Sequence, residues 1–244
     1  MTLIRSHRHS PADLRTWERR ELGDRLYAMA HRRRLDALVE QARRAIDEFL
    51  GRGPAYVSVS WGKDSTVLAH LSEGRARLAY LRVEPTDNPD TVLVRDEFLR
   101  RYPQSYHEEL LTIPCTNGEW DTDGAVERGF PRMARALGAS RYILGIRAQE
   151  SQSRYVRIAR GLSVETSCAP LGRWTIADVF AYLWLHDLPI HPAYACSFDG
   201  RLSRENIRVA WLGMPRGRGF GRAEWERRYY GEEIDAIDRA SERD

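Results

Sequence analysis

Ala55-Tyr56-Val57-Ser58-Val59 runs directly into Ser60-Trp61-Gly62-Lys63-Asp64-Ser65, and Thr66-Val67-Leu68-Ala69-His70-Leu71 follows. The first stretch reads as a β-strand, the second as a short polar loop and the third as a helix. A strand, a tight loop and a helix N-terminus together make an anion site. The free N–H groups of the first helical turn and the positive end of the helix dipole converge on whatever sits in the loop. Lys63 adds a full positive charge. Of the 38 basic residues in the chain it is the only lysine. The loop is not the common P-loop, which needs G-x-x-x-x-G-K followed by Ser or Thr. Asp64 follows Lys63 here, and Val57 stands where the earlier Gly belongs. A carboxylate beside a phosphate cradle points to a divalent cation, since Asp64 facing bare phosphate would repel it.

Outward from this loop, the chain of 244 residues is long enough for one α/β domain with additions, and 42% hydrophobic residues suffice for a buried core. The formal net charge is only +3, which gives no global field for a polyanion, although arginines cluster at 32–34, 147–160 and 216–228. Cys115, Cys168 and Cys196 are widely spaced, with no C-x-x-C pair for a zinc or iron–sulfur site. An odd cysteine count with no signal peptide fits a reducing cytoplasm. No apolar run approaches the roughly 18 residues of a membrane span.

Residues 1–10 read as a poorly ordered basic arm, and Pro11 to Leu50 as helical, stopped by Gly51-Arg52-Gly53-Pro54. Further strands are expected at 76–83, 105–113 and 142–146, with helices at 66–72, 90–102 and 124–137. Strands alternating with helices predict a doubly wound parallel sheet with right-handed crossovers. Ligands then sit at the carboxyl ends of the strands, which gathers 60–65, 84–90, 113–120 and 147–154. Three parts are expected: an arm and helical segment over 1–53, a nucleotide-binding core over 54–195 and an extension over 196–244.

Gly145-Ile146-Arg147-Ala148-Gln149-Glu150-Ser151-Gln152-Ser153-Arg154 leaves the end of the fourth strand. Arg147 and Arg154 can grip phosphate or sulfate oxygens through planar forks, and Glu150 can orient one of them or hold a metal. Downstream, Pro170-Leu171-Gly172-Arg173-Trp174-Thr175-Ile176-Ala177-Asp178-Val179 precedes Leu188-Pro189-Ile190-His191-Pro192-Ala193-Tyr194. Thr175 and Asp178, three apart, are a helix-start signature, and these residues read mainly as builders of the fold.

The first loop resembles the SGGKDS-type signature of the PP-loop, or adenine nucleotide α-hydrolase, superfamily, with Trp61 in place of the usual Gly. With G-I-R-x-x-E-S-x-x-R and P-L-x-x-W-T-x-x-D-V-x-x-Y-L in the same order, the chain resembles the phosphoadenosine phosphosulfate reductase-like branch over roughly 54–195. The resemblance implies a Rossmann-like sheet and a nucleotide, either ATP or a sulfonucleotide. It implies that Ser60, Trp61, Gly62, Lys63, Asp64 and Ser65 hold phosphates and that Arg147 and Arg154 bind the substrate-side anion. Glu84, at the end of the second strand, and Glu150 complete the expected nucleotide-binding set. Lys63, Asp64 and Arg147 are the expected catalytic residues, with Mg²⁺ on Asp64.

True reductases of this family carry a catalytic cysteine in a short C-terminal E-C-G-x-H-like segment, and no cysteine follows Gly200 here. The leading expectation is therefore an adenylyltransferase that cleaves the α,β bond of ATP and releases pyrophosphate. A sulfonucleotide reductase or sulfurtransferase using Cys168 or Cys196 stays open, and so does a non-catalytic nucleotide- or DNA-associated protein. A protein partner or a homodimer is also open. His107, His186 and His191 are general-base candidates by residue type, His191 foremost. Cys168 is expected to be packed, and Cys196 to be exposed near Arg201 and Arg204.

Overall fold

A computed structural model of the chain describes residues 1–116, 119–213 and 221–241. Its central sheet has five strands: β1 (Ala55–Val59), β2 (Leu78–Glu84), β3 (Tyr106–Thr112), β4 (Arg141–Leu144) and β5 (Ser167–Cys168). All are paired in parallel, in the spatial order β3-β2-β1-β4-β5. The helices are α1 (Pro11–Ala30), α2 (Arg32–Leu50), α3 (Lys63–Ser72), α4 (Thr91–Arg101), α5 (Thr122–Leu137), α6 (Gln152–Ala159), α7 (Ile176–Leu185) and α8 (Arg222–Ser241). The doubly wound α/β fold expected from the sequence is the fold observed.

The strand order positions the site. The chain steps outward from β1 to β2 to β3, then crosses back to lay β4 and β5 on the other side of β1. The loops leaving β1 and β4 therefore diverge, and the crevice between them is the topological switch point where such sheets bind ligands. As the central strand, β1 is covered on both faces. Tyr56, Val57 and Val59 are all buried, as a parallel sheet between helix layers demands.

Several local expectations shift. The helical stretch from Pro11 to Leu50 is broken at His31 into α1 and α2. Helix α3 begins at Lys63, three residues before the apolar run, because Gly62 serves as its N-cap. Residues 1–10 are not a loose arm. Thr2–Leu3 pairs in parallel with Pro189–Ile190, and Arg8 donates to the Tyr229 carbonyl at 2.7 Å and pairs with Asp90 and Glu233. Short β5, helix α6 and the C-terminal α8 lie outside the expected elements, although α8 buries Trp225, Tyr229, Tyr230, Ile234 and Ile237 at helical spacing.

The capping box that opens α7 forms as read. The Asp178 N–H donates to Thr175 Oγ1 at 3.2 Å and the Thr175 N–H donates back to the Asp178 carboxylate at 2.8 Å. The same carboxylate takes a guanidinium fork from Arg34 and the Tyr27 hydroxyl, which binds α1 and α2 to the core.

A second carboxylate, Asp13, joins the two ends of the chain. It is fully buried and accepts from the Ser197 N–H, the Ser197 hydroxyl and the Asp199 N–H, each at 3.0 Å, and from the Tyr229 hydroxyl at 2.9 Å. Burial alone would raise the Asp13 pKa; those donors outweigh it and hold the group below the ordinary aspartate value. The segments 1–53 and 196–244 are thus bonded to each other as well as to the sheet. Of the arginine cluster expected over 216–228, Arg216 and Arg218 lie outside the described residues; so do Asn117 and Gly118 of the segment 113–120.

Candidate functional site

The loop after β1 is built tightly. Trp61 takes the left-handed backbone conformation, φ 54°, that a glycine would adopt without cost. Its side chain turns away from the cleft into the core, fully buried, with its ring 5.4 Å from Phe98 and 5.9 Å from Tyr106. Trp61 is therefore not a wall of the site. Its backbone shapes the loop and its indole anchors it. Ser65 closes the turn: its hydroxyl donates to the Gly62 carbonyl at 3.1 Å and accepts from the Ser60 N–H at 3.2 Å.

Gly62 is extended, so it is not glycine for backbone reasons. A Cβ there would lie 3.1 Å from Val209 Cγ2 and 3.2 Å from the Tyr194 hydroxyl. Gly145, at the end of β4, is crowded in the same way: a Cβ would lie 3.0 Å from the Asp64 backbone carbon. The two glycines let the β1 and β4 loops touch.

The charged side chains meet across that contact. Lys63 Nζ lies 3.1 Å from Asp64 Oδ2, and Arg147 Nε donates to Asp64 Oδ1 at 2.6 Å. Arg147 Nη1 also donates to Gln149 Oε1 at 3.1 Å, while its N–H donates to Glu150 Oε2 at 2.8 Å. Arg154 reaches the same Glu150 oxygen at 2.6 Å. Lys63 and Arg147 are only 7% and 4% exposed, so their charges act in a poorly solvated setting. Desolvation works against the Lys63 ammonium, but Tyr194 and Asp64 outweigh it and its pKa lies above the ordinary lysine value. Tyr194 was not foreseen as part of the site. It accepts the Lys63 N–H at 3.1 Å, and its ring centroid lies 5.4 Å from Lys63 Nζ.

These residues line a cleft of about 850 Å³. Ser60, Gly62, Lys63, Asp64, Ser65, Arg147, Glu150 and Arg154 all border it, and Leu202 with residues 205–210 forms another wall. That wall was read only as an arginine-rich extension. The signal that could have found it is the alternation of Ile207, Arg208 and Val209, two apolar residues flanking one charge.

Glu84 does not border the cleft. It forms a 2.8 Å pair with Arg82 at the end of β2. The segment 84–90 is covered instead by the C-terminal chain, where the Leu212 N–H donates to the Thr86 carbonyl at 2.6 Å. None of the three candidate histidines borders the cleft. His191 is fully buried, its Nδ1 accepts the Ala193 N–H at 3.1 Å, and burial lowers its pKa to about 3. The His186 ring lies tilted against those of Tyr182 and His70, and His107 lies beside Glu109 on β3.

The expectation for Cys196 is overturned. It is fully buried with its thiol directed at the Pro192 carbonyl, and burial pushes the thiol well above the range of a nucleophile. Cys168 is buried as expected, and desolvation raises its pKa too. None of the three cysteines borders the cleft.

Among the described residues no group of three or more His, Cys, Asp or Glu side chains converges as a metal site. Both oxygens of Asp64 already face cations. With Lys63 and Arg147 on those oxygens, the donor set does not fit a metal held by protein alone.

Residues 126–200 match the phosphoadenosine phosphosulfate reductase domain family, a span that holds the Arg147–Arg154 motif and the α7 motif. Among solved structures, phosphoadenylyl-sulfate (PAPS) reductase from Candida auris, as a phosphate complex, aligns at 16% identity over 64% of this chain and 87% of its own, with a TM-score of 0.45. No curated protein matches. No helix among the described residues is long and apolar enough to cross a membrane.

Proposed function

We propose that the cleft binds the phosphates of ATP and that the chain cleaves the α,β bond, joining the adenylyl group to an acceptor nucleophile and releasing pyrophosphate. The observation that carries this reading is the convergence of Lys63, Arg147 and the N–H end of α3 on one cleft that no cysteine borders. As the bond to the α-phosphorus breaks, negative charge accumulates on the departing pyrophosphate. Lys63 and Arg147 are buried and fixed before the ligand arrives, so they stabilise that charge without reorganising. Asp64 orients both cations. When bound, Mg²⁺ would neutralise phosphate charge, held by the phosphates and Asp64.

The family match over 126–200 also favours a second reading, reduction of a sulfonucleotide. With Cys168 and Cys196 buried, the thiol for that reaction would come from a partner protein or a small dithiol.

The test is one assay series. Pyrophosphate release from ATP is measured across candidate acceptors for the parent chain, for Lys63→Ala and for a triple Cys→Ser variant. Loss in Lys63→Ala with near-parental activity in the cysteine variant is the expected result. Sulfite release from phosphoadenosine phosphosulfate with dithiol, and no pyrophosphate release from ATP, would replace adenylylation with reduction.

A further inference from the structure

We propose that Arg208, carried on the C-terminal wall, is a third cation of the phosphate site and takes the distal, most highly charged end of a polyphosphate. The inference rests on the reading of the 60–65 loop as a phosphate site, and goes beyond it in assigning a residue that lies outside both motifs.

The wall is part of the loop's own construction. Val209 packs over Gly62 so closely that a Cβ there would lie 3.1 Å from Val209 Cγ2. Ile207 and Val209 are buried, whereas Arg208 between them is exposed and borders the cleft. The backbone that carries it is fixed from behind. Arg222, the first residue of α8, donates to the carbonyls of Arg208, Ala210 and Trp211 at 3.3, 3.2 and 2.7 Å, and its Nε donates to Glu226 at 2.7 Å. This guanidinium, on a braced backbone and one residue from the side chain that touches the loop, borders the same cleft as the loop.

Charge bookkeeping gives the chemical class. Lys63 and Arg147 share the single carboxylate of Asp64, and Arg154 is matched by Glu150. The loop side of the cleft therefore has one positive charge to spare, against three to four negative charges on a triphosphate or pyrophosphate. Among the described residues Arg208 has no ion-pair partner. Among the described residues that border the cleft it is the cation without an ion-pair partner, with Glu205 on the same wall, and its planar fork suits two oxygens of a terminal phosphate.

Isothermal calorimetry with inorganic pyrophosphate, and separately with AMP, tests this on the parent, Arg208→Gln, Arg208→Lys and Lys63→Gln. The expected result is about tenfold weaker pyrophosphate binding in Arg208→Gln, with little change for AMP, the scale of one charge-assisted contact. Arg208→Lys should recover part of the loss. Because Arg208 is exposed, parental thermal midpoints are expected and exclude misfolding as the cause. Pyrophosphate binding that falls in Lys63→Gln but is unchanged in Arg208→Gln overturns the role of Arg208 and leaves the loop reading intact. No pyrophosphate binding by the parent overturns both.

Discussion

At the scale of single residues, Trp61 illustrates how a loop can break a sequence rule and still keep its shape. A non-glycine at φ 54° costs about 1–2 kcal/mol. Losing a buried tryptophan side chain costs about 3–5 kcal/mol. Burial therefore wins, and the strain is tolerated because the indole is packed against Phe98 and Tyr106. Trp61→Gly, which restores the residue usual in this loop type, should destabilise the protein by about 1–4 kcal/mol in urea unfolding. Equal or higher stability would mean the indole contributes nothing. Arg147 makes the complementary point. Its Nε and Nη1 serve different partners, Asp64 and Gln149, and a lysine has one nitrogen to offer. Arg147→Lys should depress turnover far more than it depresses folding, read as kcat against thermal midpoint.

At the scale of elements, the end of α3 meets the end of α7 through a histidine pair. His70 Nδ1 lies 2.8 Å from the Tyr182 hydroxyl, and the His70 and His186 rings are 4.9 Å apart. Burial, with the nearby charges of His186 and Arg43, lowers the His70 pKa to about 4, and burial lowers that of His186 as well. The unfolded chain takes up these protons near pH 6.5, while the folded protein resists until about pH 4 for His70. Stability should therefore be complete above pH 6.5 and decline as the pH falls toward 4. His70→Gln should make that decline shallower, the buried His191 supplying part of the rest, measured as thermal midpoint across the range; a parental slope in that variant would remove His70 as a source. The elements also mark what the sequence made legible. Strand β1, helix α3 and the α7 capping box declare themselves through local chemistry: an apolar run, a glycine–lysine loop and a Thr175–Asp178 spacing. Strand β5 has two residues and α6 has eight, too short for periodicity to register, and the break at His31 leaves no proline or glycine as a sign.

At the scale of the whole molecule, the site was half legible. Lys63, Asp64, Arg147 and Arg154 lie in two motifs that a parallel sheet brings together at adjacent strand ends. The other wall comes from residues 202–210, which are placed by contacts far away in sequence, and no local pattern encodes those. Arg20 donates to the Leu202 carbonyl at 2.9 Å and Asp24 pairs with Arg204, and just before the wall the chain is held by Asp13. It satisfies donors from Ser197, Asp199 and Tyr229 at once, so Asp13→Ala leaves several buried donors unpaired. The expected loss is at least about 3 kcal/mol in denaturant unfolding. Faster amide exchange at Ser197 and Asp199 should accompany it, with exchange in β1 tracking only the global change. Unchanged exchange at those two amides would mean that the ends of the chain are held together by something else.

The bracing of the cleft by Arg222 has a consequence for the protein's synthesis. The strands, α3 and the Arg147 loop emerge from the ribosome early, yet the carbonyls of residues 208, 210 and 211 find their clamp only once the start of α8 has been made. A nascent chain can thus form the sheet and the glycine–lysine loop while the cleft still lacks its second wall. The cleft is therefore completed late in biogenesis, only after translation has passed the arginine that braces that wall.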